Sequence, residues 1–535
     1  MESKNPQKPE DLNIEFYKKH LPKHSRKLEI LHFNDVYDIE ERQNVGQDLI
    51  VAGAARFVRA FELYNCKEKL VLFSGDLFFP SNRKCKNYFR VRDPSFYCSI
   101  VSTYYDGVQM VKPFNRLNVD ICCLGNHELD MGLPKARELI DQTNCPWILS
   151  NLLEKDKDLK PVCGLEPMHV LEHSGMKIGF AGFAEEAWTE QLMPEIECDK
   201  LQYVDYHETL KKYSKIMKED HKCDLIVALN HMRVPDDRLM GSSHSHEVVD
   251  LIFGGHDHVY LSELNKDTNV FLLKSGTDFE CFSNLTILFE VEREDIQDFE
   301  KLVQDQKACP SSFITTYYSE DLKRFYINEK VLVTGAFEPD AEIREHVIFY
   351  TQELNKQLDL TAGFSCVDWE ARFSRVRTEE TNLGNFVADI MRTEFSTDFA
   401  LANGGCLRAN CVWGKGNLQW RFLSAILPMA DQVVIVKVTG KILRDILENA
   451  ISLWPKFDGR WPILSGIRLE FDPSKPAGQR IVEGTLEKEN GDQIEMETYY
   501  TMASKYFMTT GKDGFSAFLD ESVVKVTERD QSPAI

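Results

Sequence analysis

The sequence is poor in cations. Over 535 residues, 63 lysines and arginines stand against 85 aspartates and glutamates, a formal net charge of −22. A field of that sign repels DNA, RNA and anionic membrane surfaces, which speaks against all three as partners. No run of eighteen apolar residues occurs, so no membrane-spanning helix is expected. The N-terminus is polar and basic without the apolar stretch of a secretory signal, and the C-terminus, ERDQSPAI, has no hydrophobic tail. The expected location is the cytoplasm. There is no CxxC pair and no Cys/His array of zinc-finger spacing, and the 14 cysteines are scattered. Reduced, mostly buried thiols are expected, and any metal needs other ligands. Internal repeats are absent, and low complexity is confined to the polar N-terminus.

What is present is ordinary globular material, 43% hydrophobic and 28% charged, in a length that calls for at least two domains. Five short apolar runs in the first half each read as a buried strand ending at a polar, metal-competent residue. Residues 28–33 lead into Asn34-Asp35, 70–73 into Ser74-Gly75-Asp76, and 119–124 into Gly125-Asn126-His127. Residues 224–229 lead into Asn230-His231, and 248–253 into Gly254-Gly255-His256-Asp257-His258. Ligands gather beyond the carboxyl ends of strands in α/β sheets, so five such ends can meet in one crevice. Helical periodicity at 53–64 and 206–218 alternates with these runs, which indicates a layered α/β architecture.

Asp35, Asp76, Asn126, His231, His256 and His258 together offer carboxylate, amide and imidazole donors. That mixture suits two divalent ions bridged by one aspartate. Such a pair clamps a phosphoryl group and lowers the pKa of bound water. His127, beside Asn126, is placed to protonate or hydrogen-bond a leaving oxygen, with Asp130 orienting its ring. Any one of these residues alone is more often a satisfied polar side chain or a helix cap. Five coordinated strand ends are far less often so.

Residues 295–340 read as polar and irregular, and 341–358 as an amphipathic helix. Domains are therefore expected at 28–310 and 361–535, with a linker and connecting helix over 311–360 and a polar extension over 1–27. In the second half, Arg377 and Arg408 are fixed cations suited to phosphate or carboxylate. Asn403-Gly404-Gly405 lets backbone approach a ligand closely. A surface ion pair and a tight turn are the plainer readings. A basic segment, SNRKCKNYFRVR at 81–92, reads as a solvated loop or, alternatively, as the lining of a cleft for a polyanionic substrate.

The motifs HFNDVY, GAARF, FSGDLF, GNHELDMG, SNL, LNHMR and GGHDH resemble the calcineurin-like metallophosphoesterase domain of 5′-nucleotidases. RTEETNLGNFVADIM, ANGGCLR, ILPMADQVVIVKVTG and GKDGF resemble the 5′-nucleotidase C-terminal domain. The resemblance implies a four-layer α/β/β/α first domain and a smaller α/β second domain. It also implies two divalent ions, zinc or manganese, with Asp76 as the bridge. One ion would have Asp35, residue 37, Asp76 and His258, and the other Asp76, Asn126, His231 and His256. Position 37 departs from the pattern, since Tyr37 stands where a histidine is usual, and a phenol coordinates only weakly unless ionised. In the second domain the resemblance implies that Phe507 and Met429, the latter in place of an aromatic, flank a base, and that Asp513 meets the ribose. Both Phe507 and Met429 also read as core residues. The expected activity is hydrolysis of a phosphomonoester, a nucleoside 5′-monophosphate, by a metal-bound hydroxide, with the phosphorus held between the two domains. Other phosphoesters, or a non-catalytic binding protein with an impaired metal site, are the alternatives.

Overall fold

A computed structural model describes residues 20–43, 50–51, 53–65, 69–78, 101–102, 105–188, 200–242, 248–305, 312–409, 411–427 and 432–526. The chain divides into two compact units, Met1–Leu354 and Asn355–Ile535. Among the described residues, no helix is long and apolar enough to cross a membrane.

The first unit is built on two sheets. One contains β1 (Arg26–Phe33), β2 (Leu70–Phe73), β3 (Ile121–Cys123) and β4 (Trp147–Ile148), which run parallel in that order. The other contains β5 (Met168–His173), β6 (Met176–Ala184), β7 (Leu225–His231), β8 (Leu251–Gly254), β9 (Tyr260–Leu264) and β10 (Phe271–Ser275). Its strand order is β9-β10-β8-β7-β6-β5. Parallel strands buried on both faces read as continuous apolar runs, which is why they stand out in the sequence. Helices α1 (Ala54–Tyr64) and α2 (Tyr206–Glu219) supply amphipathic cover. The Phe57 and Phe61 rings of α1 pack tilted and edge-on against Phe33 at the end of β1, with centroids 5.4 and 5.5 Å away.

The expected linker over 311–360 is not a linker. Helix α3 (Arg293–Asp305) is followed by β12 (Ser312–Ser319) and β13 (Arg324–Leu332), and β13 pairs antiparallel with β11 (Cys281–Phe289). The first sheet thereby reaches seven strands, β12-β13-β11-β1-β2-β3-β4. The segment looks polar because it buries polar residues in pairs. Lys69 Nζ donates to Asn284 Oδ1 (2.7 Å), and Asn284 Nδ2 donates to Glu329 Oε2 (3.0 Å). A hydrophobicity pattern cannot register a strand whose inward residues are satisfied by hydrogen bonds. Helix α4 (Ala341–Leu358) lies where periodicity put it, but its first fourteen residues belong to the first unit.

The second unit carries a five-stranded sheet of β14 (Phe399–Asn403), β15 (Val433–Thr439), β16 (Pro462–Ser465), β17 (Tyr499–Lys505) and β18 (Val524–Val526), ordered β16-β14-β17-β15-β18. The period of two along β14 sorts its side chains between two cores. Ala400 and Ala402 pack with Leu383, Val387 and Met391 of α5 (Asn382–Phe395). Phe399 and Leu401 pack with Ile442, Ile446 and Leu447 of α6 (Gly440–Ile451).

Candidate functional site

Strands from both sheets of the first unit deliver their terminal residues to one buried point. Oxygen and nitrogen ligand atoms of Asp35, Asp76 and His231 all lie within 4.8 Å of one another, and the three residues are fully buried. Close approach of these ends depends on glycine. A Cβ on Gly125 would sit 2.2 Å from Asp76 Oδ1, and one on Gly255 would sit 2.4 Å from the Ser74 carbonyl and 2.7 Å from His231 Nδ1. Four expected ligands adopt left-handed backbone: Asp35 at φ 53°, Asp76 at 65°, His256 at 82° and His258 at 58°. Each such residue costs about 1–3 kcal/mol, a concentration of strain found where geometry is over-determined by its surroundings.

The imidazoles are oriented by their outward nitrogens. His231 donates from Nδ1 to the Ser74 carbonyl (2.7 Å), which turns its Nε2 toward Asp76 Oδ2 at 3.0 Å. His256 sets Nε2 against the Glu185 carboxylate (3.3 Å), so Nδ1 faces the Asn126 carbonyl oxygen at 3.0 Å. Asp76 thus meets His231, and Asn126 meets His256, at hydrogen-bond distance. Carboxylate, amide and imidazole donors of this kind suit a divalent ion, and the cluster whose ligand atoms lie closest together is Asp35, Asp76 and His231. At the same edge, His127 Nδ1 lies 3.0 Å from Asp130 Oδ2, and its Nε2 is 3.8 Å from Asp76 Oδ2.

Around Asp35 the arrangement differs. The Tyr37 hydroxyl lies 2.8 Å from Asp35 Oδ1, 2.7 Å from Asp76 Oδ2 and 2.8 Å from His258 Nε2. Burial, and then the two carboxylates, push its pKa well above the ordinary phenol value and keep it protonated. Burial also pushes the Asp35 carboxyl up, but His231 and His258 outweigh it and hold the group below the usual carboxylate range.

Several residues that pattern reading passed over support the site. Glu128 is fully buried and accepts from the backbone N–H groups of Asp76 (2.9 Å), Leu77 (2.5 Å) and Gly125 (2.6 Å). Burial, then Asp76, lifts its pKa to about 7 against the pull of the Leu77 and Asp76 N–H donors. Its signal was available, since a glutamate reaching back three residues to a backbone N–H has the spacing of a capping box. Glu185 follows β6 as the other ligands follow their strands, so the rule applied to five apolar runs applies to a sixth. Lys274 is buried and donates to the Met232 and Gly255 carbonyls (each 2.7 Å) and to Asp257 (2.5 Å), with Asp237 at 2.7 Å. It thereby ties down the loop that carries His256 and His258.

In the second unit, Asn403 Nδ2 donates to Asp513 Oδ2 at 3.5 Å, and the backbone N–H groups of Gly404 and Gly405 donate to Trp461 and Gly459 carbonyls. The Val376 carbonyl, next to Arg377, lies against Gly404 so closely that a Cβ there would meet it at 2.3 Å. Arg377 is 1% exposed, with its guanidinium 4.2 Å over the Phe373 ring. Arg408 donates its backbone N–H to Ile426, and half-buried Phe507 packs at the margin of the core under α6. Met429 and the basic segment 81–92 lie outside the described residues.

Residues 28–260 match the calcineurin-like phosphoesterase family, and residues 361–520 match the 5′-nucleotidase C-terminal domain. The chain belongs to the two-domain 5′-nucleotidase family of metallophosphoesterases, hydrolases that act on phosphoric ester bonds. It is 23% identical over 491 residues to the trifunctional nucleotide phosphoesterase protein YfkN of Bacillus subtilis, covering 84% of this chain but 30% of that protein. It is 22% identical over 536 residues to the 5′-nucleotidase of Bos taurus, covering 93% of this chain and 85% of that one. The crystal structure of a 5′-nucleotidase precursor from Thermus thermophilus has the same fold, with a TM-score of 0.61 at 22% identity over 94% of this chain and 93% of that one.

Proposed function

We propose that the protein releases phosphate from a small phosphomonoester, a nucleoside 5′-monophosphate, using divalent metal held in its first unit. The reading is carried by the buried meeting of Asp35, Asp76 and His231, beside which Asn126 and His256 meet at 3.0 Å. Divalent cations in such a donor set, zinc and manganese among them, polarise phosphoryl oxygens and acidify water. The chain supplies the rest. Ser74 and Glu185 fix the imidazole tautomers, and Glu128 holds the Asp76 and Gly125 backbones in place. His127, steadied through Nδ1 by Asp130, keeps Nε2 to pass a proton to the leaving oxygen. The second ion expected from the family would fall to Asp35, Asp76 and His258, where Tyr37 intervenes. Arg377, Asn403, Gly404, Gly405, Arg408, Met429, Phe507 and Asp513 are assigned to binding the nucleotide.

The test is phosphate release by purified full-length protein, stripped of metal and reloaded with zinc or manganese, on nucleoside monophosphates, cyclic nucleotides, nucleotide sugars, sugar phosphates and a phosphopeptide. Metal-dependent release, fastest from a nucleoside 5′-monophosphate, is expected. No release from any of them under either metal sinks the enzymatic reading, and faster release from another class replaces the substrate. A cytoplasmic location belongs to the same proposal, supported by the scattered spacing of the 14 cysteines, which suits reduced thiols. Resistance of those thiols to alkylation in freshly lysed cells, relieved by a reductant, would count against it.

A further inference from the structure

We propose that the Tyr37 hydroxyl takes the place of the first metal ion, so that this chain binds one divalent ion, at Asp76, Asn126, His231 and His256. The inference rests on the metal-dependent reading above and narrows its cofactor. Three of the atoms that would hold the first ion, Asp35 Oδ1, Asp76 Oδ2 and His258 Nε2, converge instead on a single phenol oxygen at 2.7–2.8 Å. Those are hydrogen-bond separations, whereas oxygen and nitrogen ligands approach a zinc ion to about 2.0–2.2 Å.

The hydroxyl meets the oxygens that other groups leave open. Asp35 Oδ2 is already taken by Asn34 Nδ2 (2.6 Å) and the His256 N–H (2.8 Å), so only Oδ1 turns to Tyr37. Asp76 Oδ1 takes the His127 N–H (2.9 Å), leaving Oδ2 shared between Tyr37 and the His231 side of the site. A phenol has one proton to give and lone pairs to receive, so it donates to a carboxylate oxygen and accepts from His258 Nε2–H. One neutral oxygen thus stands where two carboxylates and an imidazole meet, its proton shared between the carboxylates and its lone pair open to the imidazole N–H. Tyr37 is held there by its own burial, 6% exposed, and by the Ser102 hydroxyl donating to its carbonyl at 3.1 Å. In the second donor set the residues meet one another directly, His231 with Asp76 and His256 with Asn126, each at 3.0 Å.

The test counts ions in the full-length chain. Wild type and Tyr37→His are stripped with chelator and dialysed to equilibrium against manganese; bound metal is measured by mass spectrometry and its spectrum by electron paramagnetic resonance. We expect one ion per wild-type chain with a mononuclear signal, and two per Tyr37→His chain with the spectrum of a spin-coupled pair. Two coupled ions in wild type overturn the inference while leaving the metal-dependent reading intact. No bound ion in wild type overturns both. Should Tyr37→His fail to fold, the wild-type count and spectrum decide the matter alone, because one uncoupled ion supports the proposal and a coupled pair refutes it.

Discussion

The metal centre of the first unit and the recognition cluster of the second are built on opposite plans. Ligands of the centre come from the ends of strands in two sheets, and Asp35, Asp76 and His231 have no exposure at all. Each is pinned by a further group: His231 by Ser74, His256 by Glu185, the Asp76 backbone by Glu128. Part of the recognition set is looser, although Arg377 and Asn403 are buried. Asn403 and Asp513 meet at 3.5 Å, and Arg408, Phe507 and Asp513 are half-buried. A reacting centre must hold its donors within fractions of an ångström, and strand ends with locked partners do that. Binding a nucleoside tolerates more, because area and stacking fall off gradually with displacement.

The contrast predicts graded damage. Asp76→Asn keeps the Oδ1 acceptor for the His127 N–H but removes the charge that faces His231, and kcat should fall by roughly a thousandfold or more. Its thermal melt should stay within a few degrees of wild type; near-normal turnover would remove Asp76 from the centre. Lys274→Met tests whether pinning is itself costly to lose. The substitution strands Asp237 and Asp257 without their buried ammonium, and should destabilise the fold by about 3–5 kcal/mol in denaturant titration while weakening metal binding through the loop of His256 and His258. A loss below about 1 kcal/mol would show that Lys274 is replaceable by water. His127→Ala removes the proton donor alone, so kcat should drop by about a hundredfold or more with metal content preserved. Matching losses of kcat and of bound metal would make His127 a ligand instead.

The same contrast explains what could be read in the sequence. Apolar runs that end in polar residues were legible because parallel strands are buried on both faces, and Leu70–Phe73 and Ala341–Leu358 fall where periodicity put them. The hairpin of Ser312–Ser319 and Arg324–Leu332 was not, because a buried inward residue such as Glu329 is polar and is satisfied from outside the hairpin, by Asn284 of the neighbouring strand, which itself accepts from Lys69. Among site residues, those that point at the centre stand at strand ends, where an apolar run marks them. Of those that hold them, Glu185 shares that signature and Lys274 does not. Lys274 lies within β10, with nothing in its neighbours to show that Asp237, Asp257 and two carbonyls would converge on it. Partners separated by tens of residues are set by topology, and local pattern carries no trace of them.

The smallest effect is expected at the other pole of the comparison. Phe507 is half-buried at the margin of the core of Leu401, Val436 and Met502, where the resemblance puts a ring beside the base. Phe507→Ala should raise KM for a nucleoside 5′-monophosphate by about tenfold, which corresponds to about 1.4 kcal/mol of stacking on the nucleobase. The kcat should change little, since no strand-end donor moves. For a generic aryl phosphate, which has no nucleobase to stack, both constants should stay near wild type. The pairing of substrates is what gives the measurement its force: a core role for Phe507 would depress both alike by lowering the folded fraction, and a thermal melt would fall with them. A selective rise in KM for the nucleotide at unchanged stability would place the ring in recognition, and equal losses on the two substrates would return it to the core.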